Sequence, residues 1–306
     1  MELNDVKEQP FNQAAASQGL TAITPAQDFD SMPIDNESSC SSCSGGAASM
    51  PVSFVYALGR IETRFPNLAA EKEFAQATAR TDTAGKTDQQ TFYSVLSKPE
   101  NRYLIRQLCW VLTIQGLETY LLYPRNPGDL ALLVESLRPA PNPSDIDVVI
   151  GVRGPIAPPE MCNGLMVPIV GFDQIYSFDR DSLIKAIPKP EKITAAQFRP
   201  MAEELFDRIR QLTDNSGNTD EHRALNYLAM RYPAIYAKTA DEFARDFSLT
   251  GVEARPSPLG GTRNIVEVIF AYTDRKTDFT EKFSVRCDMT DEFPFLHSKL
   301  LPYLDR

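Results

Sequence analysis

Five cysteines, two histidines and one closely spaced pair of aspartates carry most of the chemistry open to this 306-residue chain. Cys40-Ser-Ser-Cys43 has the two-residue spacing that brings both thiolates onto one zinc ion. A structural zinc takes four ligands, so two more are needed. The candidates are Cys109, Cys162 and Cys287, or the Cys40/Cys43 pair of a second copy in a homodimer. Cys287 alternates with Phe283 and Val285 and reads as core. Cys109 adjoins the only tryptophan, Trp110, and is core-like too. Cys162 is the best third ligand. It sits in Arg153-Gly-Pro-Ile-Ala-Pro-Pro-Glu-Met-Cys-Asn-Gly164, where three prolines and two glycines hold the backbone to one shape. The expected structural zinc site therefore includes Cys40, Cys43 and Cys162, with Cys109 a candidate for the fourth ligand, which the sequence leaves open.

Other chemistry is less well supplied. A redox Cys-x-x-Cys draws its reactivity from a helix N-terminus, and Cys40/Cys43 lie in a Ser/Gly tract instead. Cys162 as a nucleophile would need an adjacent base, and only Glu160 is near in sequence. A cryptic peptide-modifying enzyme built on Cys162, Asp145 and Asp147 is the alternative to a non-catalytic reading. Asp145 and Asp147 flank Ile146 at a strand start, so both project from one face and could hold Mg²⁺. His222 reads as part of a helix first turn and His297 lies near the C-terminus. Neither has a visible partner that would tune it for acid–base work. Leu-Gly-Gly-Thr at 259–262 is a hairpin turn rather than a phosphate cradle.

These residues need elements to carry them. Residues 1–50 are rich in Gln, Ser, Asp and Gly and are expected to be a disordered tail or linker. Strands are expected from residue 51, at 119–123, 146–152, 167–172 and 175–178. Helices are expected at 68–78, 88–96, 102–113, 127–137 and 180–187. The run 146–152 has the apolar continuity of a strand buried on both faces. Pro188-Lys-Pro-Glu-Lys marks a boundary. Beyond it come amphipathic helices at 195–213, 220–232 and from 233 to about 247, then a three-stranded antiparallel meander at 251–255, 264–273 and 281–288. The fold class is α+β, with a mixed domain over 51–188 and a helical segment plus meander over 189–306.

Composition narrows the function further. The net charge of −10 opposes nucleic acid and anionic membrane alike. No 18-residue apolar stretch exists to span a bilayer, and the first residues lack the pattern of a signal peptide. A cytoplasmic location is expected, and there the cysteines should stay reduced.

Three blocks carry a resemblance. Phe54-Val-Tyr-Ala-Leu-Gly-Arg-Ile-Glu62 with Glu71-Lys-Glu-Phe-Ala-Gln-Ala-Thr78 is one, and Asn101-Arg-Tyr-Leu-Ile-Arg-Gln-Leu-Cys-Trp110 is another. The third is Val149-Ile-Gly-Val-Arg-Gly-Pro-Ile-Ala-Pro-Pro-Glu-Met-Cys-Asn-Gly164. Over about 52–306 the chain resembles the C-terminal domain of unknown function of patellamide-type cyanobactin maturation proteases. The resemblance implies an accessory role in ribosomal peptide maturation, with pathway proteases, other maturation enzymes or precursor peptide as partners. It does not carry protease activity, because the Asp, His and Ser motifs of a subtilisin-like triad are not in the sequence.

Overall fold

The computed structural model of the protein describes residues 52–189, 193–212 and 214–304. Cys40, Cys43 and the tail expected over 1–50 lie outside the described residues.

The first strand, β1 (Ser53–Arg64), buries Val55, Tyr56, Ala57 and Leu58 in succession, which requires cover on both faces. It leads into α1 (Leu68–Ala79), where the Asn67 side chain accepts the Ala70 N–H. Thr87 and Gln90 form a reciprocal capping box on α2 (Asp88–Leu96), satisfying two backbone donors that a helix start leaves free. The helix expected over 102–113 is cut short. α3 (Arg102–Gln107) ends before β2 (Cys109–Ile114) begins. Trp110, Leu112 and Ile114 alternate into a core there, and that period of two prevails over the helical spacing. Gln115 and Gly116 take φ of 50° and 82° and form the tight turn into β3 (Leu117–Pro124). After α4 (Leu130–Leu137), β4 (Asp145–Ile156) and β5 (Pro168–Asp179) follow, the latter uniting two strands expected separately.

These five strands close into a barrel in the order β1-β2-β3-β5-β4. β1 pairs antiparallel with both β2 and β4, β4 is antiparallel to β5, and β5 runs parallel to β3. With α4 inserted between β3 and β4, this is the connectivity of the OB-type Greek-key barrel. Its β1–β2 connection is enlarged to hold α1 to α3. Inside lies one core, including Ala57, Trp110, Leu112, Tyr120, Val149 and Phe172, closed by residues of α1 to α4.

The remainder comprises α5 (Arg180–Ala186), α6 (Ala195–Arg210), α7 (Asp220–Arg231) and α8 (Ala234–Ala244), then an antiparallel sheet. Its strands are β6 (Phe247–Pro256), β7 (Ile265–Asp274), β8 (Thr280–Asp288) and β9 (Phe295–Pro302), in sequential order. The expected meander therefore gains a fourth strand, β9, which carries His297 at the sheet edge. The outward side chains of β1 and β4, among them Tyr56, Leu58, Val148 and Ile150, share one apolar core with α5 to α8 and the sheet. The Asn226 side chain on α7 donates to the Tyr56 carbonyl at 2.8 Å and also pairs with Asn215. A helix–barrel–sheet arrangement of this kind is α+β. No described helix is long and apolar enough to cross a membrane.

Candidate functional site

The barrel's outer surface is covered in two different ways. On the β1–β4 side stands the large core shared with the helices. On the β2–β3–β5 side, Cys109, Val111, Leu121 and Ile169 face outward, and among the described residues their apolar cover is the β4–β5 connection, residues 157–167. From that connection Ala157, Met161, Cys162, Leu165 and Val167 pack down onto the face. Its proline and glycine content produces a compact, self-bonded turn, as the sequence suggested. Ala157 N–H donates to the Val167 carbonyl at 2.8 Å, closing the loop at its base. Within it, Met161 N–H bonds to Pro158, Gly164 N–H to Pro159 and Leu165 N–H to Cys162. Asn163 and Gly164 sit at φ of 46° and 84°, the left-handed region that Asn and Gly tolerate best.

Cys109 and Cys162 are brought together, and they form a disulfide with Cα atoms 6.0 Å apart. This corrects the expectation of reduced cysteines for Cys109 and Cys162, while Cys287 is free. The separation of 53 positions between Cys109 and Cys162 conceals a contact that exists only once β2 and the 157–167 turn meet. As a cystine these sulfurs do not fit a zinc centre, which requires thiolates. Cys162 is fully buried, and in this form it offers no nucleophilic thiolate either. Cys287 is unbridged and buried on β8, and burial pushes its thiol pKa up. Among the described residues no group of three or more His, Cys, Asp and Glu side chains could hold a metal ion.

The paired aspartates are committed separately. Asp145 meets Arg138 at 3.1 Å and accepts the Asn142 N–H. Asp147 is buried, accepting the Ile61 N–H at 2.7 Å and the Ser177 hydroxyl at 2.5 Å. Burial pushes its pKa up to about 6 against the pull of those bonds. The position explains the residue. β1 pairs with β4 as far as Gly59 and with β2 from Arg60 onward, so Ile61 N–H needs an acceptor where the strands part. His222 lies in the first turn of α7, where burial lowers its pKa and leaves Nδ1 without a partner. His297 is exposed on β9.

One cluster has no signal in the sequence. Arg125, just after β3, is paired with Asp173 on β5 and with Glu292 at 3.1 Å. Burial first, and the Asp173 carboxyl second, push the Glu292 pKa up to about 7. The adjoining backbone is pinned by Arg223, which donates to the carbonyls of Met289, Asp291 and Glu292. These groups are far apart in the chain, so no spacing motif announces them.

The family model of the PatG domain matches residues 54–255. The chain belongs to the PatG domain family. A solved structure described as a PatG domain of unknown function shares the fold, with a TM-score of 0.67 and 21% identity. The alignment covers 82% of this chain and 98% of that one. No curated protein matches. The resemblance drawn from the three sequence blocks is thus supported by both comparisons, and in this PatG domain the third block is β4 together with the cystine-bound turn.

Proposed function

We propose that this PatG domain is a non-catalytic accessory domain of cyanobactin-type ribosomal peptide biosynthesis, which assembles maturation enzymes or handles their precursor peptide. The observation that carries the reading is the family match over 54–255, reinforced by the shared fold across most of the chain. The working location is the cytoplasm, and the partners are pathway proteases, other maturation enzymes and precursor peptide. A pull-down with the full chain as bait tests it. Retention of a maturation enzyme or precursor peptide supports the role, and retention of neither counts against it.

Zinc enters this reading through Cys40 and Cys43. Since Cys109 and Cys162 bond to each other, the four thiolates come from the Cys40/Cys43 pairs of two copies, which makes the domain a zinc-linked homodimer. Native mass spectrometry reads it directly. Two chains with one zinc support the dimer, and a metal-free monomer removes it.

A further inference from the structure

In OB-type barrels the outer face of the second and third strands, framed by the β1–β2 and β4–β5 connections, is where ligands lie. Here that face is apolar, and the β4–β5 connection lies across it. Val111 and Leu121 pair across β2 and β3, Leu121 pairs with Ile169 on β5, and Val111 and Leu121, packed in one cluster with the turn above them, are each 1% exposed. The covering segment forms no ladder with the strands beneath it. Its backbone bonds close on themselves, so it is held by apolar contact, by its two ends and by one covalent bond to Cys109.

We infer that residues 157–167 are a strap occupying a peptide-binding face, and that the Cys109–Cys162 cystine controls access to that face. The occupant in place shows what the face takes: a short, proline-containing segment presenting Ala157, Met161, Leu165 and Val167. The partner is accordingly a peptide of that chemistry. A polyanion is disfavoured by the net charge of −10 and because Arg64, a basic residue at the rim, is bound to Glu118 at 2.6 Å. Opening consumes a dithiol. Its two thiols supply two electrons and two protons, the Cys109–Cys162 bond breaks, a thiol forms on each cysteine, and the reductant leaves as a disulfide.

The inference rests on the proposed function only in taking a peptide as ligand, and its test needs no pathway component. The probe is a fluorescent synthetic peptide spanning 156–168 with Cys162→Ser, titrated by anisotropy into the full chain. Three forms are compared: oxidised, reduced with dithiothreitol, and the double variant Cys109→Ala/Cys162→Ala. The double variant answers the case in which the buried cystine resists the reagent. Hydrogen exchange on the same samples follows the strap and β7. The expected result is binding at least tenfold tighter to the reduced or double-variant chain than to the oxidised one, with faster exchange in 157–167 and unchanged exchange in β7. Equal binding by all forms, or binding by none, overturns the inference. Loss of protection in β7 also overturns it, since the cystine would then be a staple of the whole fold.

Discussion

Asp147→Asn separates a buried structural carboxyl from a poised reactive one. The carboxyl accepts bonds from Ile61 N–H and the Ser177 hydroxyl at the seam where β1 leaves β4 for β2. Its folded pKa of about 6 lies above the ordinary value of 3.8, with desolvation the largest cause. At 1.36 kcal/mol per pK unit, the ionised form costs the fold about 3 kcal/mol. The folded state binds the proton more tightly than the unfolded chain does. The stabilisation is therefore complete below pH 3.8 and is lost as pH rises through about 6. Between about pH 4.5 and about pH 7.5 the loss is about 2 kcal/mol. Asparagine cannot ionise. Its Oδ1 can still accept the Ile61 N–H, and its Nδ2 can donate to the Ser177 oxygen. Urea unfolding of both proteins across this range isolates the effect, because every other titrating group cancels in the difference. The Asn variant should gain on the parent by about 2 kcal/mol as pH rises. A difference independent of pH, or one of opposite sign, would refute the reasoning. It would mean that the two hydrogen bonds outweigh burial and hold the carboxyl ionised.

Two further substitutions probe how the barrel is held to the rest of the protein. Gly217 has φ of 73°, and a Cβ there would lie 2.3 Å from the Tyr56 carbonyl oxygen, beside the bond from Tyr56 N–H to the Gly217 carbonyl. Gly217→Ala should cost roughly 2–4 kcal/mol in chemical denaturation, while Gly261→Ala, at φ of 61° in open space, should cost only about 1 kcal/mol of backbone strain. Equal effects would remove the steric argument. Arg223→Met takes a guanidinium from beneath three backbone carbonyls and from the Phe54 ring, 5.2 Å away, so a loss of roughly 2–4 kcal/mol and faster hydrogen exchange at 289–292 are expected. Exchange that stays slow there would mean that other contacts hold the segment.

Much of the architecture could be read where burial is continuous or strictly periodic. The run 146–152 was legible because both faces of β4 are covered, by the barrel core and by the helix–sheet core. α6 was legible because Phe198, Met201, Leu205 and Ile209 fall on one side. The stretch around Trp110 was not, since a short apolar run fits a helix and a strand about equally, and only its neighbours in the barrel decide between them. β9 escaped because it is an edge strand with irregular pairing, whose alternating residues stay largely exposed. At the candidate site, the proline and glycine pattern revealed a shaped turn bearing Cys162. The sequence brought Cys109 in only as a candidate fellow zinc ligand, and it could not reveal a bond between the two. Pairing depends on which face of β2 the turn covers, and that is fixed only when the barrel closes.

Barrel closure also explains why the covered β2–β3–β5 face is the candidate for function rather than the β1–β4 face. A five-stranded barrel of this length leaves apolar side chains on its outside wherever a neighbouring element shields them. On β1 and β4 the shield is built from four helices and a sheet, and uncovering it would dismantle the core that contains Tyr56, Leu225 and Phe270. On β2, β3 and β5 the shield is a single turn that bonds chiefly to itself, so uncovering it leaves the ladders and the interior core in place. Apolar contact alone would hold such a turn only as firmly as its few side chains allow. The bond between Cys109 and Cys162 adds a constraint of another kind, one that yields to a dithiol while the strand ladders do not. A face closed by contact and locked by a redox bond can be opened without unfolding the molecule, and no other part of the described barrel surface has that combination.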